Sequence, residues 1–293
     1  MAGTKAWRQH YPFASHAVDV GGLRYHYVDE GAGDPAVLVH GNPTWSFYWR
    51  RLVAAIAEDH RAIAPDHIGM GMSDKPDRGR YPFTLQRRID DFTGFMRLLD
   101  LTEPVTLVVH DWGGPIGLAW AVEHVDMVGR VVVTNTAAFG LPEGKKMPPA
   151  LAFARNRPFG EAFVVGANGF VRGATRLGLT TAMTSEVRAG YSAPYGRRQE
   201  RTAVLEFIKD IPLDGGHRSF AALDALDRHL SRLADVPMLI CWGAQDFVFD
   251  DLVLDEWRRR FPTAEVHRFA DAGHFVLEDA PDEIIPLVLE FMR

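Results

Sequence analysis

Apolar positions along the chain follow two different spacings. From His16 to Asp29 apolar and polar residues alternate about a Gly21-Gly22 turn, the period-two mark of a β-hairpin, and the polar stretch Glu30 to Asp34 closes it. Continuous apolar runs follow at Ala36 to His40, Arg61 to Pro65, Val105 to His110, Val131 to Thr134 and Met238 to Trp242. Short runs that do not alternate predict parallel strands covered on both faces. Segments of helical length, Phe47 to Glu58, Leu85 to Leu99 and Pro115 to His124, lie between them. Strand and helix in alternation predict an α/β protein with a mainly parallel central sheet flanked by helices. The alternation lapses between about Phe139 and Leu230, and βα units resume at Val236, so the lapse predicts a helical cap inserted above the sheet. The division expected is a core of residues 1–137 and 229–293 with a cap of 138–228.

Composition narrows the function classes. The 293 residues hold 32 Lys+Arg against 38 Asp+Glu, and a net charge of −6 offers no overall attraction to phosphate backbones or anionic membranes. Neither a nucleic acid nor a membrane is expected as partner. Cys241 is alone, which excludes an intramolecular disulfide and a cysteine zinc site, and no metal-ligand spacing is visible. The segment around Lys5, Arg8 and His10 lacks the apolar core of a signal peptide, and the apolar runs fall far short of the ~20 residues that span a bilayer. A cytoplasmic protein without cofactor is expected; its oligomeric state stays open, a homo-oligomer included.

Three segments carry candidate chemistry. In Val105 to Gly117 a strand runs through His110-Asp111-Trp112-Gly113-Gly114 into a helix, the context of a nucleophile elbow, with Asp111 where a serine often stands and Val109 where a first glycine often stands. A carboxylate there can attack carbon and become an ester, splitting one difficult step into two. An Asp after a strand is also a common helix N-cap. The loop His40-Gly-Asn42-Pro-Thr-Trp45 follows another strand, where the N–H of Asn42, with that of Trp112, can form an oxyanion hole; a tight turn explains the same residues. Asp246 and His274, 28 residues apart, each follow a strand-like run and a glycine, in the order nucleophile, acid, histidine. His274 can activate water and Asp246 can orient it. Asp250 and Asp251 are rival acids, but a helix start explains them; after Val131 to Val133 the corresponding position is Asn135, not a carboxylate.

Through HGNPTW (His40 to Trp45), HDWGGP (His110 to Pro115), WGAQD ending at Asp246 and DAGHF around His274, the sequence resembles the haloalkane dehalogenases of the α/β-hydrolase superfamily over nearly its whole length. It looks like the subfamily with an Asp-His-Asp triad and an Asn-Trp halide pair. The resemblance implies that Asp111 displaces halide from a small halogenated alkane, that Asn42 and Trp112 side chains hold the halide, and that His274 then activates water to free alcohol, halide and a proton. In this family the cap sets substrate range; Phe207 is the expected pocket residue, with Phe139, Phe159, Phe163 and Phe170 as further aromatic candidates. Epoxide hydrolases share HDWG and use cap tyrosines, which keeps Tyr191 and Tyr195 in view as an alternative. A cofactor-independent oxygenase of the luciferase kind is a second one.

Overall fold

A computed structural model of the protein describes residues 6–156 and 158–293; Lys5, read above for its charge, lies outside them. The hairpin forms as β1 (His16–Val20) and β2 (Leu23–Gly31), antiparallel to each other. The apolar runs become β3 (Pro35–Val39), β4 (Arg61–Pro65), β5 (Val105–His110), β6 (Val128–Thr134) and β7 (Met238–Gly243), and a further strand β8 (Glu265–Phe269) closes the far edge. Their order in the sheet is β1-β2-β4-β3-β5-β6-β7-β8, parallel from β4 to β8. All residues of β3, β5 and β7 are buried, because helices cover both faces of the sheet. β8 was not among the apolar runs, since an edge strand half open to water carries Glu265, His267 and Arg268.

The helices between the first strands are α1 (Arg50–Ile56), α2 (Leu85–Leu98) and α3 (Gly113–Glu123). Helix α3 is apolar all round and nearly every residue of it is buried, as befits a helix running directly beneath the sheet's centre. The cap contains α4 (Pro149–Arg155), a π-helical turn (Glu161–Gly166), α5 (Gly169–Leu177), α6 (Ser185–Ser192) and α7 (Thr202–Lys209). Next comes α8 (Phe220–His229), which packs on α2 and α3 of the core. The expected cap of residues 138–228 takes in α8; from its packing on α2 and α3 we propose that the cap ends before α8, at residue 219. The chain ends with α9 (Asp251–Arg260), α10 (Val276–Asp279) and α11 (Pro281–Met292). Among the described residues no helix is long and apolar enough to cross a membrane.

Candidate active site

The carboxyl ends of β3, β5, β6, β7 and β8 open beneath the cap, and the loops leaving β3, β5, β7 and β8 bring the predicted residues together. Asp111 follows β5 with φ +49°, a left-handed conformation that an L residue holds only under constraint. The constraint is steric closure on both sides. A Cβ on Gly113 would meet the Val39 carbonyl oxygen at 1.9 Å, and one on Gly41 would meet Asp111 Oδ1 at 2.1 Å, so only glycines let helix, loop and carboxylate converge. The backbone N–H of Asn42 donates to Asp111 Oδ1 at 2.6 Å. Burial raises the Asp111 pKa, against the opposing pull of His274 and the backbone N–H groups of Asn42 and Trp112.

His274 lies on the loop before α10 with Nε2 3.9 Å from Asp111 Oδ2, and its Nδ1 bonds Asp246 Oδ2 at 2.7 Å. Burial alone would lower the His274 pKa; the Asp246 carboxylate outweighs it, and the net shift is upward. Asp246 is buried but well supplied with donors: the Val248 N–H reaches Oδ1 at 2.7 Å and Asn135 Nδ2 reaches Oδ2 at 3.0 Å. Asn135 also exchanges both its amide functions with Gly243, so it clamps the end of β6 to the end of β7. The sequence showed only that no carboxylate stands there; that Asn135 serves the acid one strand over is visible only once β6 and β7 are adjacent. The His274 carbonyl in turn accepts from His110 Nε2 at 2.9 Å. Asp250 caps α9 through the Leu252 N–H and pairs with Lys145 at 2.8 Å, away from the histidine.

These partners give a test. For any Asp111 ester whose release needs water, Asp246→Asn is expected to slow release roughly 10³-fold, because an amide no longer stabilises the imidazolium. Asp250→Asn keeps an N-capping side chain and is expected to cost less than about threefold. Single-turnover ester hydrolysis by both variants measures this, and equal losses would return Asp250 to the acid's role.

A cavity of about 220 Å³ lies over Asp111 and His274. Among the described residues its polar walls are few: Asn42, Asp111, His274, Lys145 and Lys146, with Asp111 the one acid among them. Apolar side chains form the rest, Phe139, Phe163 and Phe170 among them. Phe207, expected to line it, is not among its walls; it is fully buried against Trp112, ring centroids 5.3 Å apart, with the Arg88 guanidinium 3.8 Å from its own centroid. Helix α7 turns that face inward because Phe207 belongs to its buried stripe. Phe159 is exposed and lies off the cavity wall. Neither cap tyrosine reaches the cavity: Tyr191 donates to Glu278 Oε1 at 2.5 Å, and Tyr195 donates to the Thr44 carbonyl at 3.3 Å. Asn42 Nδ2 donates to the Val204 carbonyl at 3.2 Å, which fixes its carboxamide beside the cavity and leaves one hydrogen over.

Comparison with known proteins agrees with this architecture. A family model described as alpha/beta hydrolase fold matches residues 34–281. A cis-3-alkyl-4-alkyloxetan-2-one decarboxylase from Shewanella oneidensis is 46% identical, over 96% of this chain and 89% of the relative. A haloalkane dehalogenase 2 from Mycobacterium tuberculosis is 34% identical, over 96% of each chain. Among solved structures, the haloalkane dehalogenase DatA from Agrobacterium tumefaciens C58 superposes with a TM-score of 0.84 at 28% identity, covering 96% of each chain. With its elbow, its mainly parallel eight-stranded sheet and its inserted cap, the chain belongs to the α/β-hydrolase family.

Proposed function

We propose that this enzyme opens and decarboxylates a cis-3,4-dialkyl oxetan-2-one, a four-membered lactone, giving a cis-alkene and carbon dioxide. The observation that carries the reading is the position of one buried carboxylate, Asp111, on the wall of a mostly apolar cavity. The relative named for this reaction is also more similar than the one named for dehalogenation, 46% against 34%.

The steps follow from that placement. Asp111 attacks C4 in line; the C4–O bond of the ring breaks, an Asp111 ester forms, and the leaving group is a carboxylate still attached through C3. The indole N–H of Trp112 and the remaining carboxamide hydrogen of Asn42 are the donors we assign to that departing anion. The bond from C3 to the carboxylate carbon then breaks, its electron pair becomes the C3=C4 π bond, and the C4–O bond to Asp111 breaks to restore the carboxylate. Carbon dioxide leaves. Inversion at C4 followed by anti elimination returns cis geometry from a cis ring, and neither water nor a net proton is consumed. Dry walls favour the second step, because carboxylate charge is dispersed as carbon dioxide forms.

Haloalkane dehalogenation is the second reading, favoured by the Asn42 and Trp112 pair and by His274 held for water activation. It shares the first step and differs in needing water for the second. Epoxide opening would need a proton donor at the developing alkoxide, and both cap tyrosines are committed elsewhere.

The experiment is a product assay on a cis-3,4-dialkyl oxetanone beside a bromoalkane of equal carbon number, in ¹⁸O water. The expected result is cis-alkene without ¹⁸O in the carbon dioxide before exchange, at a kcat/KM at least roughly 100-fold above that for bromide release. Bromide release with an inert lactone would establish the second reading instead.

A further inference from the structure

The cavity opens through an apolar rim. Of its lining residues, Leu141, Phe163, Leu177 and Phe247 are exposed, Leu177 to 72%. The rim continues outward: Phe153 stacks on Phe159 with ring centroids 6.3 Å apart and meets Phe163 edge-on at 5.7 Å. Phe153 and Phe159 are exposed and do not line the cavity. Six large apolar side chains gathered at one opening exceed the scattered exposure normal for a protein surface.

Charge is divided in the same direction. Residues 138–219 hold 12 Lys+Arg against 7 Asp+Glu, while the rest of the chain holds 20 against 31, so the overall −6 conceals a basic cap on an acidic core. Lys146 lies at the cavity, and Arg172 and Arg176 stand on the exposed face of α5, the helix that also carries Leu177. Among the described residues none of the three makes an ion pair. Apolar side chains ringed by cations are the chemistry of an interfacial lipid site. A second copy of the chain is a poorer occupant, because two basic caps would face each other across the contact.

We propose that the cap docks this enzyme on an anionic lipid surface, with the Phe153–Phe159–Phe163 cluster and Leu177 entering the acyl boundary so that the cavity receives its substrate from the bilayer. The inference deepens the proposed function, since a dialkyl lactone partitions into lipid, and it rests on that reading only for the identity of the substrate. The whole-chain charge argues against such a partner; its distribution argues for one.

Flotation with phosphatidylcholine vesicles containing roughly three parts in ten phosphatidylglycerol tests it without any turnover. The intact chain is expected to float with these vesicles, and binding is expected to fall at least roughly tenfold in pure phosphatidylcholine or in about 0.5 M salt. The double variant Phe153→Asp/Phe159→Asp is expected to lose flotation while turning over a short, water-soluble substrate at the original rate. Lys146→Glu/Arg172→Glu/Arg176→Glu is expected to lose the preference for anionic vesicles. Intact protein that stays at the bottom of the gradient, or variants that float as it does, would overturn the proposal; the first result would turn the rim over to a protein partner. Flotation by an enzyme inert toward the lactone would overturn the substrate reading alone.

Discussion

Asp111→Asn is expected to abolish turnover of both lactone and bromoalkane, by roughly 10⁴-fold or more, and to leave the protein at least as stable as before. The loss follows because an amide oxygen cannot form the ester on which both reactions depend. The stability result follows from the electrostatics. Asp111 is buried, and burial raises its pKa above the ordinary carboxylate value. An acid whose folded pKa is raised above its unfolded one costs stability as pH climbs past the unfolded value, and the cost keeps growing until the folded group has ionised. Asparagine removes the charge while its Oδ1 still accepts from the Asn42 N–H. Thermal melts beside product assays check both halves. A variant that loses activity and melts far lower would mean that Asp111 holds the elbow together, with catalysis secondary.

His274→Phe is expected to separate the two proposed chemistries. With a bromoalkane the Asp111 ester is expected to form and stop for want of a base to activate water, so that intact mass rises by one alkyl group per chain. With a cis-dialkyl oxetanone the proposed ester carries its own carboxylate and needs no water to collapse, so alkene is expected to continue to form. The rate is expected to fall roughly 10- to 100-fold, since the His274 ring, whose Nε2 lies 3.9 Å from Asp111 Oδ2, no longer steadies the carboxylate that Asp111 regains. Mass spectrometry with alkene detection reads both outcomes on one preparation. A trapped lactone adduct with no alkene would place His274 inside the elimination and refute the water-free second step.

Local chemistry made much of this site readable before its shape was known. The elbow is written in sequence because Gly41 and Gly113 are dictated by distances of about 2 Å, and the strands are written in continuous apolar runs because both faces of the sheet are covered. Where burial is one-sided the signal fades, as in β8 with its Glu265, His267 and Arg268. The contribution of Asn135 was hidden because it acts across a strand pair, between β6 and β7, and hydrogen bonds between non-consecutive elements leave no local pattern. Phe207 is ambiguous for a related reason: an aromatic on a cap helix is equally suited to a cavity wall and to the support behind one, and its full burial against Trp112 and the Arg88 guanidinium favours support.

The hydrogen bond that withdraws Tyr191 from the cavity has another consequence. Its acceptor, Glu278, lies four residues after His274 in α10 and is also gripped by both Nη atoms of Arg50 at the start of α1. One carboxylate thus joins a cap helix, the first core helix and the segment that presents His274. Cap and core are therefore not interchangeable modules. A lineage that borrowed a cap from a relative would acquire new cavity walls, but it would keep its histidine in register only if the borrowed helix brought a hydroxyl to the same place, which ties the inheritance of specificity to the inheritance of the base.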